Sequence, residues 1–264
     1  MSMLGHYTKL FESIGVLKIR DAIPEQDYPE QLPDDFVNEG NGYTYPTTKV
    51  DNPLAFHQAD GLTYMWEYIV EERFEKAPKG VIHVGCHDMP ERGCYVPLFG
   101  KNVIWVEANE DSFDRWTQPI ATHFDHWAFN IAVSDSDGVT NFYDNGAPEV
   151  SGLVPSKGDY RPSKPIRQKR LDDIIEKFDI DMSNYDFLNV DVEGAEYKVL
   201  EGFKKNIKHI NYVFLEVSKD GRHVGEATFE EMTKYLNDLG FELDRVSEAS
   251  MSMHGWGDAF YVRS

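Results

Sequence analysis

The chain has 264 residues, of which 41% are hydrophobic and 13% aromatic, enough for a sizeable core and a composition that excludes intrinsic disorder. Its formal net charge of −20 is the wrong sign for a nucleic-acid backbone or an anionic membrane surface. No apolar run approaches the ~20 residues of a membrane span. The N-terminus lacks a secretory signal pattern, and Cys86 and Cys94 form no zinc-type cluster, so a reducing, cytoplasmic setting is expected.

Residues 1–60 differ from the rest. A short amphipathic stretch around Leu4–Leu17 precedes a segment broken by Pro24, Pro29, Pro33, Pro46 and Pro53. Scattered aromatics such as Tyr28, Phe36 and Tyr45 predict an arm or lid packed on the main domain, residues 61–264. Gly61–Lys76 has helical spacing. Strands and helices then alternate. Val81–Cys86 reads as a buried parallel strand, and Glu91–Phe99 as a helix with Asp88 as N-cap and Pro90 in its first turn. Asn102–Glu107 is a second strand, Asp111–Thr117 begins a helix, and Trp127–Val133 is a third strand. Val139–Tyr143 alternates as a strand, and Asp144–Lys164 reads as a loop. Leu171–Phe178 is a helix, Tyr185–Val192 a fourth strand running into a helix at Glu193–Phe203, and Asn211–Val217 a fifth strand. A helix at Phe229–Leu239 and strands at Phe241–Val246 and Ala259–Arg263 close the chain.

Repeated βα units of this length imply a mostly parallel, doubly wound α/β sheet. Ligands bind such sheets at the carboxyl ends of the strands, so the strand ends carry the functional signal. The first ends His83-Val84-Gly85-Cys86, where Gly85 allows close backbone approach, though no GxGxxG pattern follows. Glu107 ends the second strand 22 residues after Gly85, a spacing that suits hydrogen bonds to ribose hydroxyls and disfavours a phosphorylated ribose. The fourth strand ends in the block Asp191-Val192-Glu193-Gly194-Ala195-Glu196. Glu196 suits the start of a helix, whereas Asp191 stands on the strand end itself. Glu216 ends the fifth strand, where a structural and a functional role are both open.

Ile82–His87 with Glu107, Ala132–Asp135, Asp191–Glu196 and Glu216-Val217 together resemble the FkbM family of methyltransferases. The ending Gly255-Trp256-Gly257-Asp258-Ala259 is similar to one branch of it. The resemblance implies a Rossmann-like class I methyltransferase fold with a seven-stranded sheet whose last strand is antiparallel. It also implies S-adenosylmethionine as cofactor, and hydroxyl groups on sugars, glycans and related small molecules as acceptors. On this chain His83 and Gly85 would face the methionine portion, Glu107 the ribose, Asn130 to Ala132 the adenine, and Asp191 the amino group and the methyl. The family often has Asp where His83 stands, Ala where Cys86 stands, and a further glycine in the turn now held by Met89, Pro90 and Glu91.

Methylating an alcohol requires a proton acceptor, and Asp191 and Glu193 are the candidates, with His87 and His254 behind them. A magnesium ion held by Asp191 and neighbouring carboxylates is an alternative route, but no complete ligand set shows and no metal is assigned. A non-catalytic Rossmann-like binding protein and an NAD-dependent oxidoreductase are the rival readings. The missing glycines and the DVEGAE block count against the oxidoreductase.

Overall fold

The computed structural model describes residues 78–89, 91–143, 151–157 and 162–264. The expected arm at 1–60 and the helix at Gly61–Lys76 lie outside these residues. Strands β1 (Val81–Val84), β2 (Val103–Glu107) and β7 (Phe187–Val190) are buried along their whole length, as continuous apolar runs in a parallel sheet must be. With β3 (Trp127–Asn130), β8 (Tyr212–Ser218), β9 (Phe241–Val246) and β10 (Trp256–Arg263) they form a seven-stranded sheet. Its order is β3-β2-β1-β7-β8-β10-β9. All neighbours are parallel except β10, which is antiparallel to both β8 and β9. The expected doubly wound class I architecture is thereby shown.

Helices cover both faces. On one, α1 (Arg92–Phe99) brings Tyr95 and Phe99 against Trp105, Phe187, Phe214 and Phe260. On the other, α3 (Leu171–Lys177), α4 (Glu196–Glu201) and α5 (Phe229–Asp238) bury Ile174, Val199, Leu200 and Leu236 against Ile82, Leu188 and Leu215. Thr228 and Glu231 close a capping box at the start of α5. After β2 the chain runs through Glu110–Ser112, a π-helical segment Phe113–Thr117 and Gln118–Phe124 as one helix, α2.

Several expected boundaries are corrected. The strand predicted at Trp127–Val133 divides. Trp127–Asn130 stays in the main sheet, while Ala132–Val133 (β4) joins a small sheet of order β4-β6-β5, with β5 at Gly138–Tyr143. The remaining strand, β6 (Pro162–Lys169), overlaps the end of the predicted loop. Glu91, not Asp88, caps α1, and its side chain makes no cap bond. The helix predicted from Glu193 starts at Glu196, because Glu193 and Gly194 take positive φ and break the helical path. The last strand starts at Trp256 instead of Ala259, after a helix α6 (Glu248–His254) that the sequence reading leaves out.

Candidate active site

A cavity of about 240 Å³ opens over the carboxyl ends of β1, β2 and β7. Its floor is set by a close backbone crossing. Gly85 has φ +86°, and a Cβ there would fall 1.7 Å from the Asp191 carbonyl oxygen. The Gly85 amide donates to Val106 and the Asp191 amide donates to Val84, so the three strand ends are tied together beneath the opening. The following turn keeps the left-handed path that glycine would favour, with His87 at φ 42° and Met89 at φ 58°. Met89 is buried in the α1-side core, which offsets the strain of that conformation.

Glu107 lines the cavity at the end of β2. One carboxylate oxygen accepts the His87 amide at 2.7 Å and the other the Asn109 amide at 2.6 Å. Burial raises its pKa, and these backbone donors oppose that rise. Each oxygen keeps capacity for a second hydrogen bond, which is what a pair of ribose hydroxyls requires. Asn130 lies outside the cavity lining, and its amide side chain donates to the Glu107 and Ala108 carbonyls, bracing the turn that carries Glu107. Ile131, Ala132 and Val133 do line the cavity and supply an apolar wall.

His83 and Glu91 line the α1 side. Both are buried, with His83 Nδ1 and Glu91 Oε2 3.7 Å apart, and neither atom has a hydrogen-bond partner among the described residues. Burial lowers the His83 pKa to about 3 and raises that of Glu91 to about 8. Burial favours the uncharged form of each, and both polar atoms stand open to a polar ligand. Cys86, expected as a small buried residue, is buried, with its thiol 3.6 Å from the Thr117 hydroxyl.

Asp191 directly follows β7 with its carboxylate open to the cavity, and no donor among the described residues reaches it. The protein packed around it strips much of its water, and Glu193, Asp258, Glu196 and Glu91 add negative charge, so its pKa stands well above the usual range. Its carboxylate oxygens lie within 4.8 Å of those of Glu193 and Glu216. Arg222 donates to Glu216 at 2.6 Å, and His223 Nε2 lies 3.2 Å from Glu193. Two of the three acids are thus already compensated by the chain, which weakens the case for a cation cage. Glu196 turns away and accepts the Val192 and Gly194 amides, the structural role its position suggests.

His87 borders the cavity, whereas His254 is exposed at the end of α6. The sequence reading misses Glu91, Arg222 and His223. The last two lie in a loop without periodic signal, and nothing in their neighbours sets them apart. Asp258 did carry a signal, since it belongs to the Gly-Trp-Gly-Asp-Ala ending. It sits opposite Glu216 in the sheet, and burial raises its pKa to about 6.

The cavity brings together hydrogen-bond acceptors on Glu107, unpaired polar atoms on His83 and Glu91, and an acid on Asp191 that no donor among the described residues reaches. No curated protein matches the chain. Among solved structures it is similar to Aeropyrum pernix fibrillarin crystallised with S-adenosyl-L-methionine, at 11% identity, over 75% of this chain and 72% of that one, TM-score 0.44. It is also similar to a SAM-dependent methyltransferase from Aquifex aeolicus, at 12% identity over 82% and 96% of the two chains, TM-score 0.39. Magnesium protoporphyrin IX methyltransferase from Synechocystis gives 14% identity over 70% and 69%, TM-score 0.33. These likenesses are in outline only, and the assignment rests elsewhere. The model of the methyltransferase FkbM domain matches residues 72–243, about two thirds of the sequence. The chain belongs to the FkbM methyltransferase family, and its cofactor is S-adenosylmethionine.

Proposed function

We propose that the chain moves the methyl group of S-adenosylmethionine to a hydroxyl of a sugar, a glycan or a related small molecule in the cytoplasm. The observation that carries this reading is Asp191, an acid held rigidly at a buried strand end, open to the cavity and without a donor among the described residues. Bound cofactor supplies an electrophilic methyl group on a cationic sulfur. Transfer to a hydroxyl forms a C–O bond and breaks the C–S bond, with its electron pair going to sulfur. One proton is left over, and a base within hydrogen-bond reach must take it. Asp191 is our first candidate for that task, and the like charges around it favour its taking up a proton. Glu193 is the second candidate. Among the described residues the cavity lining carries acids and histidines but no Lys or Arg, which favours neutral polyhydroxyl acceptors over phosphates or carboxylates.

The test is transfer of labelled methyl from S-adenosylmethionine into a panel of neutral sugars, uronic acids, amines and carboxylic acids. The expected product keeps its label through alkaline hydrolysis, as a methyl ether does. Label lost to alkali, as from a methyl ester, or label found on nitrogen would overturn the hydroxyl reading while leaving the family assignment in place.

A further inference from the structure

We propose that His223 is a positioning residue that holds the Glu193 carboxylate at the cavity edge, oriented to share in taking the acceptor's proton. The proposal rests on the hydroxyl reading above. Its geometry comes from three elements that close on one turn. The β7–α4 turn carries Glu193 at φ 55°, a left-handed conformation that a residue with a side chain adopts only when its surroundings fix it. Those surroundings are visible. On one side the segment 151–157 crosses the turn, so closely that a Cβ on Gly152 would meet the Val192 carbonyl at 2.9 Å and Glu193 Cβ at 3.2 Å. On the other side His223 packs over Gly194, where a Cβ would meet the His223 side chain at 2.7 Å. The two flanks are joined to each other. Lys157 donates its amide to Arg222, Val224 donates to Pro155, and Ser156 and His223 form a β-bridge.

Within this clamp His223 is buried, with its Nε2 3.2 Å from Glu193 Oε2. A carboxylate only accepts, so Nε2 carries the ring proton and donates it to Glu193. The other ring nitrogen, Nδ1, has no partner among the described residues, so the contact with Glu193 is the ring's one polar anchor among them. Arg222 also faces Glu193, but at 3.6 Å, and its short bond goes to Glu216. His223 is therefore the group that fixes where the Glu193 carboxylate points, and Glu193 lines the cavity beside Asp191. His223 itself does not line the cavity, so its effect on the reaction passes through Glu193.

Two measurements test this on the full chain. The first needs no acceptor. With S-adenosylhomocysteine bound, ¹⁵N NMR of the histidine rings is expected to show His223 as the Nε2–H form with that proton hydrogen-bonded. Glu193→Gly, which suits the left-handed backbone and removes the carboxylate, is expected to abolish the hydrogen-bonded signal. A His223 signal indifferent to Glu193→Gly overturns the proposal. The second uses the methylated sugar identified above. His223→Met, which keeps bulk and removes the donor, is expected to lower kcat at least tenfold, with KM for S-adenosylmethionine within twofold and a similar melting temperature. His223→Gln, which restores an amide donor near the Nε2 position, is expected to recover most of the loss. Unchanged kcat in His223→Met, or no recovery in a folded His223→Gln, overturns the positioning role. If no hydroxyl in the panel takes the label, the hydroxyl reading falls and the proton-taking role with it. The NMR result then separately decides whether His223 holds Glu193 at all.

Discussion

Asp191 and Glu107 are both acids at strand ends, yet their surroundings give them different work. Glu107 already accepts two backbone amides, so removing it costs the fold as well as the ligand. Glu107→Ala is expected to weaken binding of S-adenosylhomocysteine by roughly 1.5–3 kcal/mol, the range for hydrogen bonds to a charged group, and to lower the melting temperature. Calorimetry on the folded variant checks it, and unchanged affinity would remove Glu107 from the ribose. Asp191 accepts no hydrogen bond among the described residues and sits among like charges. Asp191→Asn keeps its size and removes one of the crowded acids. The melting temperature is expected to stay the same or rise, while methyl transfer falls by at least about 10²-fold, the lower end for a positioned base. A variant that turns over like the parent would pass the proton-accepting role to Glu193.

At the scale of elements, the site depends on β1 and β7 converging at Gly85. Gly85→Ala would combine positive φ with a Cβ 1.7 Å from a backbone oxygen, and no rotamer change relieves a backbone clash. Gly255, just after α6, is left-handed with φ 77° and ψ 10°, but nothing among the described residues lies within 4 Å of its Cβ position. Gly255→Ala is expected to cost only about 1–2 kcal/mol, the strain of the left-handed conformation. Gly85→Ala is expected to cost clearly more and to abolish cofactor binding. Thermal unfolding of the pair separates strain from collision, and equal losses would show that β7 can move aside. The same elements explain what the sequence made legible. Val81–Val84 and Val103–Glu107 are apolar runs buried on both faces, and such runs are read directly from composition. β6 was not legible, because Pro162, Pro165 and its charged residues read as loop. The proline positions are tolerated because, among the described residues, β4 pairs only with Gln168 and Lys169, so no described strand asks Pro162 or Pro165 for a donor on that edge of β6. The division of Trp127–Val133 between two sheets was hidden for a related reason. Alternation signals a strand but not which sheet it joins. The acids of the site were visible one by one, whereas the contact of Glu193 with His223 spans 30 residues and depends on where a loop returns.

For the whole molecule, the buried acids and the net charge act in the same direction. Glu91, Glu196 and Asp258 have pKa values raised by burial to about 8, 7 and 6, and Asp191 and Glu216 are also raised. A raised acid binds its proton more tightly in the native state than in the unfolded chain. Its contribution is present below its unfolded pKa, near 4, and is lost as pH climbs through the folded value. His83 and His126 work in the opposite sense, with values lowered by burial to about 3 and about 4. His126 accepts the Trp105 indole N–H on Nδ1, so its other nitrogen donates to the Gly100 carbonyl and the ring is neutral. Their contribution is present above about 6.5 and is lost as pH falls towards 4. Five raised acids outweigh two lowered histidines, so the stability of the ligand-free protein falls as pH rises above about 4–5, the unfolded carboxylate range. Between pH 6 and 8 each acid still protonated in the fold costs up to about 1.4 kcal/mol per pH unit. The −20 net charge adds self-repulsion over that range. Exposed pairs such as Lys101–Asp125 and Lys169–Asp137 oppose it only weakly, since solvent screens surface ion pairs. Salt screens both, but the uncompensated repulsion is the larger quantity. Scanning calorimetry is therefore expected to give a melting temperature several degrees lower at pH 8 than at pH 6 in dilute buffer, with much of the gap recovered in 1 M NaCl. A melting temperature that rises from pH 6 to pH 8, or one that falls when salt is added, would mean that the buried acids ionise without cost and that surface pairing, not repulsion, governs this acidic chain.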